Sequence, residues 1–289
     1  PVGKMCKVLK VSKSGYYRMR NYLPSKRDGE NRMLLAEIQR IHKESKASYG
    51  SPRMTEELRK RGFNVSRPHV ARLMKENGIK AVRAKKFVVT TNSKHKYPVA
   101  ENKLNRNFTA ENSGQVWVSD ITYIRTGKGW LYLTIVLDVF DRKVVGWTLS
   151  SDMRAENTSV AAWRMAVKNR PPSSALIFHS DRGVQYACHV FVNLLASYKC
   201  VERSMSRKDL ILRGENKVFG YWDNALAESF FETIKTELVY RTRYFDREQA
   251  AISIFEWIET WYNRKRRHSA LGNLTINEFE QLMKFRNVA

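Results

Sequence analysis

Apolar residues recur at helical spacing through the first third of the chain. Within residues 33–45 the apolar positions fall on one face, which predicts an amphipathic helix. Ser51 and Ser66, each followed by a nearby proline, are start signals for two further helices, which we expect to end at Gly62 and near Gly78. Two short helices joined by a tight connection predict a helix-turn-helix whose second helix enters the major groove of DNA. An ordinary helical hairpin with a solvated basic face is the alternative.

The period of the pattern changes in the second region of the chain. Apolar runs rich in β-branched and aromatic residues predict strands, and the first three are separated only by short turns, as in an antiparallel meander. The expected strands are 115–124, 130–140, 143–150, 175–179 and 201–205, and the expected helices are 154–169, 184–198, 224–240 and 247–262. This order predicts an α/β fold with a mixed five-stranded sheet and flanking helices, preceded by an all-α region.

Positive charge is concentrated in the helical first third. The chain has 52 Lys and Arg against 28 Asp and Glu, a formal net charge of +24, and residues 1–100 hold 25 of these cations against 7 acids. Such a field attracts polyanions, of which nucleic acid is the usual one. A ribosome-associated or merely basic protein is the alternative. The 43% of hydrophobic residues excludes wholesale disorder, and the longest apolar run, 131–139, is too short and too polar for a membrane span.

Composition and periodicity divide the chain into four regions. We expect a helix-turn-helix DNA-binding region over 1–79, a basic linker over 80–111, an α/β domain over 112–245 and a basic helical extension over 246–289. The three cysteines are too few and too scattered for a disulfide framework or a zinc site, which predicts reduced thiols in the cytosol. The opening residues carry charges where the apolar part of a signal peptide would lie. Because the chain does not begin with Met, we expect Pro1 to lie inside a longer product.

Three acids occupy positions where a buried α/β core would not place them. Asp120 lies within the first strand, Asp181 follows the fourth strand, and Glu228 lies in the last long helix of the domain. A carboxylate among apolar neighbours is costly unless it is paired or binds a metal ion. Three converging carboxylates form an all-oxygen site suited to Mg²⁺ or Mn²⁺, and two such ions about 3.5–4 Å apart can promote phosphoryl transfer. Each acid taken singly also fits a turn or a helix cap.

Six ordered segments cover nearly the whole chain. They read YGSPRMTEELRKRGFNVSRPHVARLMKENGI, QVWVSDITYI, WLYLTIVLDVFDRKVVGW, HSDRGVQY, DNALAESFFETIKTEL and WYNRKRRHSALGNLT. Together they resemble the insertion-sequence transposases of the retroviral-integrase (DDE) superfamily, and more closely the OrfB-type part of a frameshifted OrfAB fusion. The resemblance implies an RNase H-like catalytic domain and a catalytic, metal-binding triad at Asp120, Asp181 and Glu228. We therefore expect Mg²⁺ or Mn²⁺ as the cofactor, two ions per active site, and no small-molecule cofactor.

The spacing of the second and third acids departs from the family pattern. The resemblance implies about 35 residues between them, whereas 46 lie between Asp181 and Glu228. Removing the 11 residues 209–219, which interrupt the family pattern, restores that spacing, so we keep Glu228 and expect an extra loop beside the site. Glu232, one helical turn further along, is the nearest rival. Asp223 is expected to cap the helix.

Other side chains are expected to bind DNA or to support the triad. In the family the residue that corresponds to Lys235 contacts DNA ends, although a solvated helix cation fits the sequence as well. The basic run 264–268 fits phosphate contact about as well as a solvated surface, and Asp138 and Asp141 fit a turn or a supporting position. The expected DNA-binding residues are Arg67, His69, Arg72, Lys75, Lys85, Lys86, Lys235, Arg264, Arg266 and Arg267. The expected supporting residues are Thr122, His179, Gln185 and Asn224.

These features predict a DNA transposase. We expect metal-dependent hydrolysis of a phosphodiester at the element ends, which frees a 3′-OH, followed by in-line attack of that 3′-OH on another DNA phosphodiester. The family resemblance adds a circular intermediate. Holding two double-stranded ends at once implies a dimer or larger assembly on DNA. We expect no membrane association and a cytoplasmic, nucleoid-associated location in a bacterium.

Two other functions fit parts of the sequence. A tyrosine recombinase would contain a His-x-x-Arg element such as His69–Arg72, would form a covalent intermediate and would need no Mg²⁺. A DNA-binding regulator with an inactive catalytic fold would bind without turnover. The presence of all three carboxylates argues against the regulator, and metal dependence separates the recombinase from the transposase.

Overall fold

The chain forms two compact units, residues 1–81 and 82–289. The division falls close to the end of the helical, strongly basic region that the sequence predicts. The structure, a computed structural model, describes residues 2–21, 25–82, 97–172, 175–207 and 223–286.

The first unit is all-α. Its helices are α1 (Val2–Val8), α2 (Lys13–Arg20), α3 (Lys26–Glu44), α4 (Ser51–Lys60) and α5 (Arg67–Glu76). The apolar faces of α3, α4 and α5 pack together, and Leu34, Ile38 and Ile41 supply the buried face of α3. These contacts hold α4 and α5 as the consecutive short helices that the sequence predicts.

The starts of these helices differ in detail from the sequence signals. α3 begins earlier than its apolar stripe because Ser25 and Asp28 form a capping box, in which the Ser25 N–H donates to Asp28 Oδ2 over 2.9 Å. Gly50, rather than Ser51, is the N-cap of α4, and Ser51 is its first residue. Ser66 is the N-cap of α5, although its side chain makes no capping hydrogen bond.

The second unit is built on a five-stranded mixed sheet in the order β3-β2-β1-β4-β5. The antiparallel meander consists of β1 (Val116–Thr126), β2 (Gly129–Asp138) and β3 (Val144–Ser150). β4 (Leu176–Ser180) pairs parallel to β1, and β5 (Val201–Met205) pairs parallel to β4. The mixed sheet that the sequence predicts is confirmed, and its order places β1 beside β4 at the centre.

Helices cover both faces of this sheet. They are α6 (Ser159–Asn169), α7 (Val184–Ala187), α8 (His189–Ala196), α9 (Ala225–Glu237), α10 (Arg247–Glu256), which continues as a π-helical segment over Trp257–Tyr262, and α11 (Ile276–Arg286). Side chains of β1 alternate between two apolar clusters: Val116 and Val118 join residues of α9 and α10, whereas Trp117 joins residues of α6 and α8. Both faces of the sheet are therefore buried.

Two stretches expected outside the catalytic domain belong to its core, which corrects the boundaries drawn from composition. Leu104, expected in the linker, is buried, and the backbone N–H groups of Lys103 and Leu104 donate to Ser204 Oγ over 2.9 and 3.2 Å. Ile254 and Trp257, expected in a separate extension, are buried in the same apolar cluster as the strands. Basic composition hid these contacts, because the few apolar residues that anchor each stretch are widely spaced in the sequence.

Replacing Gly146 with Ala is expected to destabilise the second unit by about 3 kcal/mol. Gly146 lies in β3 where α6 crosses it, and an added Cβ would overlap the Ala162 carbonyl oxygen and lie 2.6 Å from the backbone N of Ala166. Denaturant unfolding would measure the loss. Gly29→Ala in α3 is the control, because open space surrounds Gly29 and alanine in a helix stabilises by up to about 1 kcal/mol. Equal effects of the two substitutions would contradict this account.

Candidate active site

β1 and β4 place Asp120 and Asp181 close together, Asp120 within β1 and Asp181 directly after β4. The two strands are parallel and in register at Ser119 and Ser180, and each acid is the next residue along the chain. Glu228 lies in the first turn of α9, which packs against β1. The three elements that carry the predicted acids therefore meet at one place in the fold.

The charges of Asp181, Glu228 and Lys235 act on the carboxyl group of Asp120. Burial raises the pKa of the Asp120 carboxyl well above its usual value, and the charges of Asp181 and Glu228 raise it further. The Lys235 ammonium, two turns after Glu228 on α9, opposes that rise in the pKa of Asp120. Burial lowers the pKa of Lys235, and the charge of Asp120 counteracts this lowering. The structure thus brings the three predicted acids and the predicted lysine into one electrostatic cluster.

Backbone groups orient the two aspartates. The Ile121 N–H donates to Asp120 Oδ1 over 2.8 Å, and the Gly183 N–H donates to Asp181 Oδ1 over 2.9 Å. An added Cβ at Gly183 would lie 3.0 Å from Asp181 Oδ1. The turn that follows β4 therefore leaves little room around the Asp181 carboxylate, which fixes its orientation.

The four predicted supporting residues all lie near the acids, but they act in different ways. Thr122 is buried on the same face of β1 as Asp120. Gln185 is buried, and its amide donates to the Met153 carbonyl oxygen over 3.1 Å. Asn224 donates from Nδ2 to the Ser119 carbonyl oxygen over 3.1 Å and so joins the start of α9 to β1.

His179, the fourth supporting residue, is fully buried. Its Nδ1 lies 2.8 Å from Ser204 Oγ, and burial lowers the pKa of the imidazole to about 4. The ring is therefore neutral near pH 7. We assign it a role in joining β4 to β5 rather than in handling protons.

Asp223 does not cap α9, contrary to expectation. Asn224 is the N-cap residue and makes no side-chain capping hydrogen bond. Asp223 is instead fully buried and forms ion pairs with Arg106 and Arg207. Arg106 lies 117 positions away in the sequence, so no local pattern could have revealed the contact.

Comparisons with known proteins agree with this architecture. Family models described as an integrase core domain match residues 110–209 and 220–275, and a model described as an HTH-like domain matches residues 28–87. The "Insertion element IS600 uncharacterized 31 kDa protein" of Shigella sonnei is 39% identical over 96% of this chain and 97% of its own length. "Transposase InsF for insertion sequence IS3A" of Escherichia coli (strain K12) is 36% identical over 96% of this chain and 92% of its own length. This chain belongs to the IS3 family of insertion-sequence transposases.

As an IS3-family transposase, the chain is a polynucleotidyl transferase that acts in DNA transposition. Its catalytic unit has the RNase H-like, integrase-type fold given by the sheet order and the matched family models. Among solved structures, the HTLV-2 integrase catalytic core domain in complex with magnesium (trimeric form) is 14% identical, with a TM-score of 0.42, over 59% of this chain and 99% of that one. Family membership excludes the tyrosine-recombinase alternative. His69, the histidine of the His-x-x-Arg element that suggested it, lies with its Nε2 atom 2.9 Å from Asn31 Oδ1.

The HTH-like domain of the transposase exposes most of the predicted DNA-binding side chains of α5. Arg67, Arg72 and Lys75 are exposed, whereas His69 is half-buried. Arg72 also lies 3.8 Å from Glu76 on the same helix. The predicted contacts Lys85 and Lys86 and the predicted extra loop 209–219 lie outside the described residues.

The basic run after the π-helical segment divides into an exposed part and a buried part. Arg264 is exposed. Arg266 is buried and donates hydrogen bonds from Nε and Nη2 to the Glu237 carboxylate over 2.8–3.2 Å. Arg267 is also buried and donates a hydrogen bond to the Glu278 carboxylate over 3.1 Å. The expectation that Arg266 and Arg267 contact phosphate is therefore corrected, because both guanidinium groups are used in internal ion pairs.

Replacing Arg266 with Met is expected to destabilise the transposase by about 3–5 kcal/mol, because it removes the cation that pairs with the buried Glu237 carboxylate while the negative charge stays buried. Arg264→Gln, two residues earlier, is the matched control and is expected to leave unfolding unchanged while weakening DNA binding at low salt. Denaturant unfolding and a DNA-binding titration would measure the two effects. A DNA-binding defect in folded Arg266→Met larger than that of Arg264→Gln would restore Arg266 to the DNA surface.

Across the described ranges, no three His, Cys, Asp or Glu side chains lie in an arrangement that could hold a metal ion. None of the helices in the part of the chain that the structure describes is long and apolar enough to cross a membrane. Any assignment of metal ligands therefore rests on the chemistry and charge of the acids.

Proposed function

We propose that this transposase catalyses metal-dependent hydrolysis of a phosphodiester at each element end, followed by in-line attack of the freed 3′-OH on another DNA phosphodiester, which joins the strands and releases a 3′-OH from the attacked strand. The observation that carries the proposal is the placement of Asp120 and Asp181 one residue beyond a parallel pair of β1 and β4, with Glu228 in the first turn of α9, which packs against β1. The negative charges of Asp181 and Glu228 disfavour ionisation of Asp120 and raise its pKa, and a divalent cation would relieve that repulsion. The donor set is all-oxygen, which fits Mg²⁺ or Mn²⁺.

The proposed ligands of two such ions are Asp120, Asp181 and Glu228. When bound, the ions supply positive charge to the attacking and leaving oxygens of the phosphodiester. The protein's own part is positioning: backbone N–H groups hold Asp120 and Asp181 in fixed orientations, and the rigid sheet carries both. Lys235 adds a cation that can bind a phosphate beside the reacting one.

Each unit has exposed basic residues that we propose contact DNA. We assign phosphate or groove contacts to exposed Arg67, Arg72 and Lys75 of α5, and to Arg264 of the second unit. Lys85, Lys86 and His69 stay in the proposed interface on the basis of the sequence alone. Two ends must be joined, so we propose a dimer or larger assembly on DNA, a circular intermediate and a place of action on the bacterial nucleoid.

The test is a cleavage and joining assay with labelled DNA that carries the ends flanking the gene. The chain would be assayed in its complete gene product, with Mg²⁺, with Mn²⁺ and with EDTA. We expect 3′-OH ends and joined products only with metal. Products that persist in EDTA would exclude the proposal, and tight DNA binding without cleavage in either metal would favour a DNA-binding regulator with an inactive catalytic fold.

A further inference from the structure

Asp223 is a buried acid outside the triad. It binds more partners than the single cation of an ordinary ion pair. Its carboxylate accepts hydrogen bonds from the Arg207 backbone N–H, from Arg207 Nε and NH2, from Arg106 Nε and from Asn102 Nδ2, over 2.8–3.1 Å. Burial alone raises the pKa of Asp223, but the hydrogen bonds from Arg207 and Arg106 outweigh it and hold the pKa well below its usual value. Asp223 is therefore ionised at any working pH.

The partners of Asp223 come from separate parts of the catalytic unit. Asn102 and Arg106 belong to the stretch before β1, which is anchored by the buried Leu104. Arg207 follows β5, and the neighbouring Ser206 N–H donates to the Ser180 carbonyl oxygen over 3.0 Å. Since Ser180 immediately precedes Asp181, the Asp223 cluster is fixed relative to the strand end that carries the second acid.

The residues that follow Asp223 in the sequence connect it to the third acid, Glu228. Asn224 follows it and donates to the Ser119 carbonyl oxygen, one residue before Asp120. The first turn of α9 then presents Glu228, whose backbone N–H donates to the Asn224 carbonyl oxygen over 3.2 Å. Residues 223 and 224 are thus the point at which the elements that carry all three acids are joined.

We infer that Asp223 is a positioning residue, which fixes Glu228 relative to Asp120 and Asp181 and so sets the affinity of the site for divalent metal ions. The inference rests on the proposed function. It is compatible with the unusual spacing of the acids, because Arg207 and Asp223 flank residues 208–222 and bind each other directly. The placement of Glu228 then does not depend on how many residues lie between them.

The test compares Asp223→Asn with Asp141→Asn. Asp141 is also a buried acid in an ion pair with an arginine, Arg170, over 2.7 Å, but it belongs to none of the contacts around Asp223. Both variants lose one buried charge, so both are expected to lose thermal stability. Mn²⁺ binding to the complete protein, followed by electron paramagnetic resonance, and the Mg²⁺ concentration for half-maximal joining would be measured at a temperature where both are folded.

Asp223→Asn is expected to weaken Mn²⁺ binding and to raise the Mg²⁺ midpoint about tenfold, in line with other residues that orient metal ligands, while Asp141→Asn leaves both unchanged. If Asp223→Asn does not fold, Arg106→Gln removes one of the two cationic partners and is expected to shift both quantities in the same direction by less. Unchanged metal affinity in a folded variant that lacks the Asp223 charge or its Arg106 partner would overturn the inference. Absence of metal-dependent joining by the wild-type protein would instead count against the proposed function.

Discussion

Asp181→Asn is expected to lower the rate of strand joining by about 10³-fold or more while leaving the fold and DNA binding intact. Asparagine keeps the shape of the side chain, and the Gly183 N–H can still donate to its Oδ1 as it does to that of Asp181. The charge of Asp181 that acts on Asp120 is lost, so the site loses a proposed metal ligand and part of its attraction for a cation. Single-turnover joining with labelled ends would measure the loss.

The same assay distinguishes the two glutamates of α9. Glu228→Gln is expected to match Asp181→Asn, because Glu228 is the residue of this helix whose charge raises the pKa of Asp120. Glu232→Gln, one turn further along and also exposed, is the matched control and is expected to retain activity within about twofold. A large loss for Glu232→Gln with none for Glu228→Gln would move the third acid to position 232 and leave the two aspartates in place.

The strands and the antiparallel meander were predictable because the sheet imposes its own period on the sequence, although the pairing of β1 with β4 was not. β1 and β2 pair over ten successive positions, from Trp117 with Asp138 to Thr126 with Gly129, and each strand alternates or runs continuously apolar as its burial requires. The two aspartates were predictable for a related reason. A carboxylate within or directly after a buried strand breaks the apolar pattern, and so it is visible in the sequence.

The contacts that hold the site together were not predictable, since they join residues far apart in the chain. Asp223 could be read only as a helix cap, because its partners Arg106 and Asn102 lie more than a hundred positions earlier. Arg266 likewise looked like a surface cation until the fold placed Glu237 beside it. Charge in a sequence shows that a side chain is costly to bury, but only the fold shows whether a partner offsets that cost.

Replacing Arg170 is expected to lower the free energy of unfolding of the catalytic unit more than any other single replacement. The residue follows α6, and its guanidinium donates to Asp138 Oδ2 over 2.6 Å and to Asp141 Oδ2 over 2.7 Å. Both acids are almost completely buried, so Arg170→Met removes the guanidinium that pairs with both and leaves them only their backbone and Trp117 hydrogen bonds and the nearby charge of Arg142. Breaking a buried pair costs about 3–5 kcal/mol, and because two acids lose the same partner we expect a loss at the upper end of that range.

Denaturant unfolding of Arg170→Met would measure this loss, with Lys168→Met as its control. Lys168 is exposed near the end of the same helix, and its replacement is expected to change the free energy of unfolding by less than about 0.5 kcal/mol. Adding Asp138→Asn and Asp141→Asn to Arg170→Met is expected to recover part of the stability, because removing the charges with their partner avoids burying them alone. The amide oxygen introduced by Asp138→Asn could still accept the hydrogen bond that Trp117 Nε1 now donates to Asp138 over 3.0 Å. A triple variant less stable than Arg170→Met would show that the acids stabilise the fold through contacts other than Arg170.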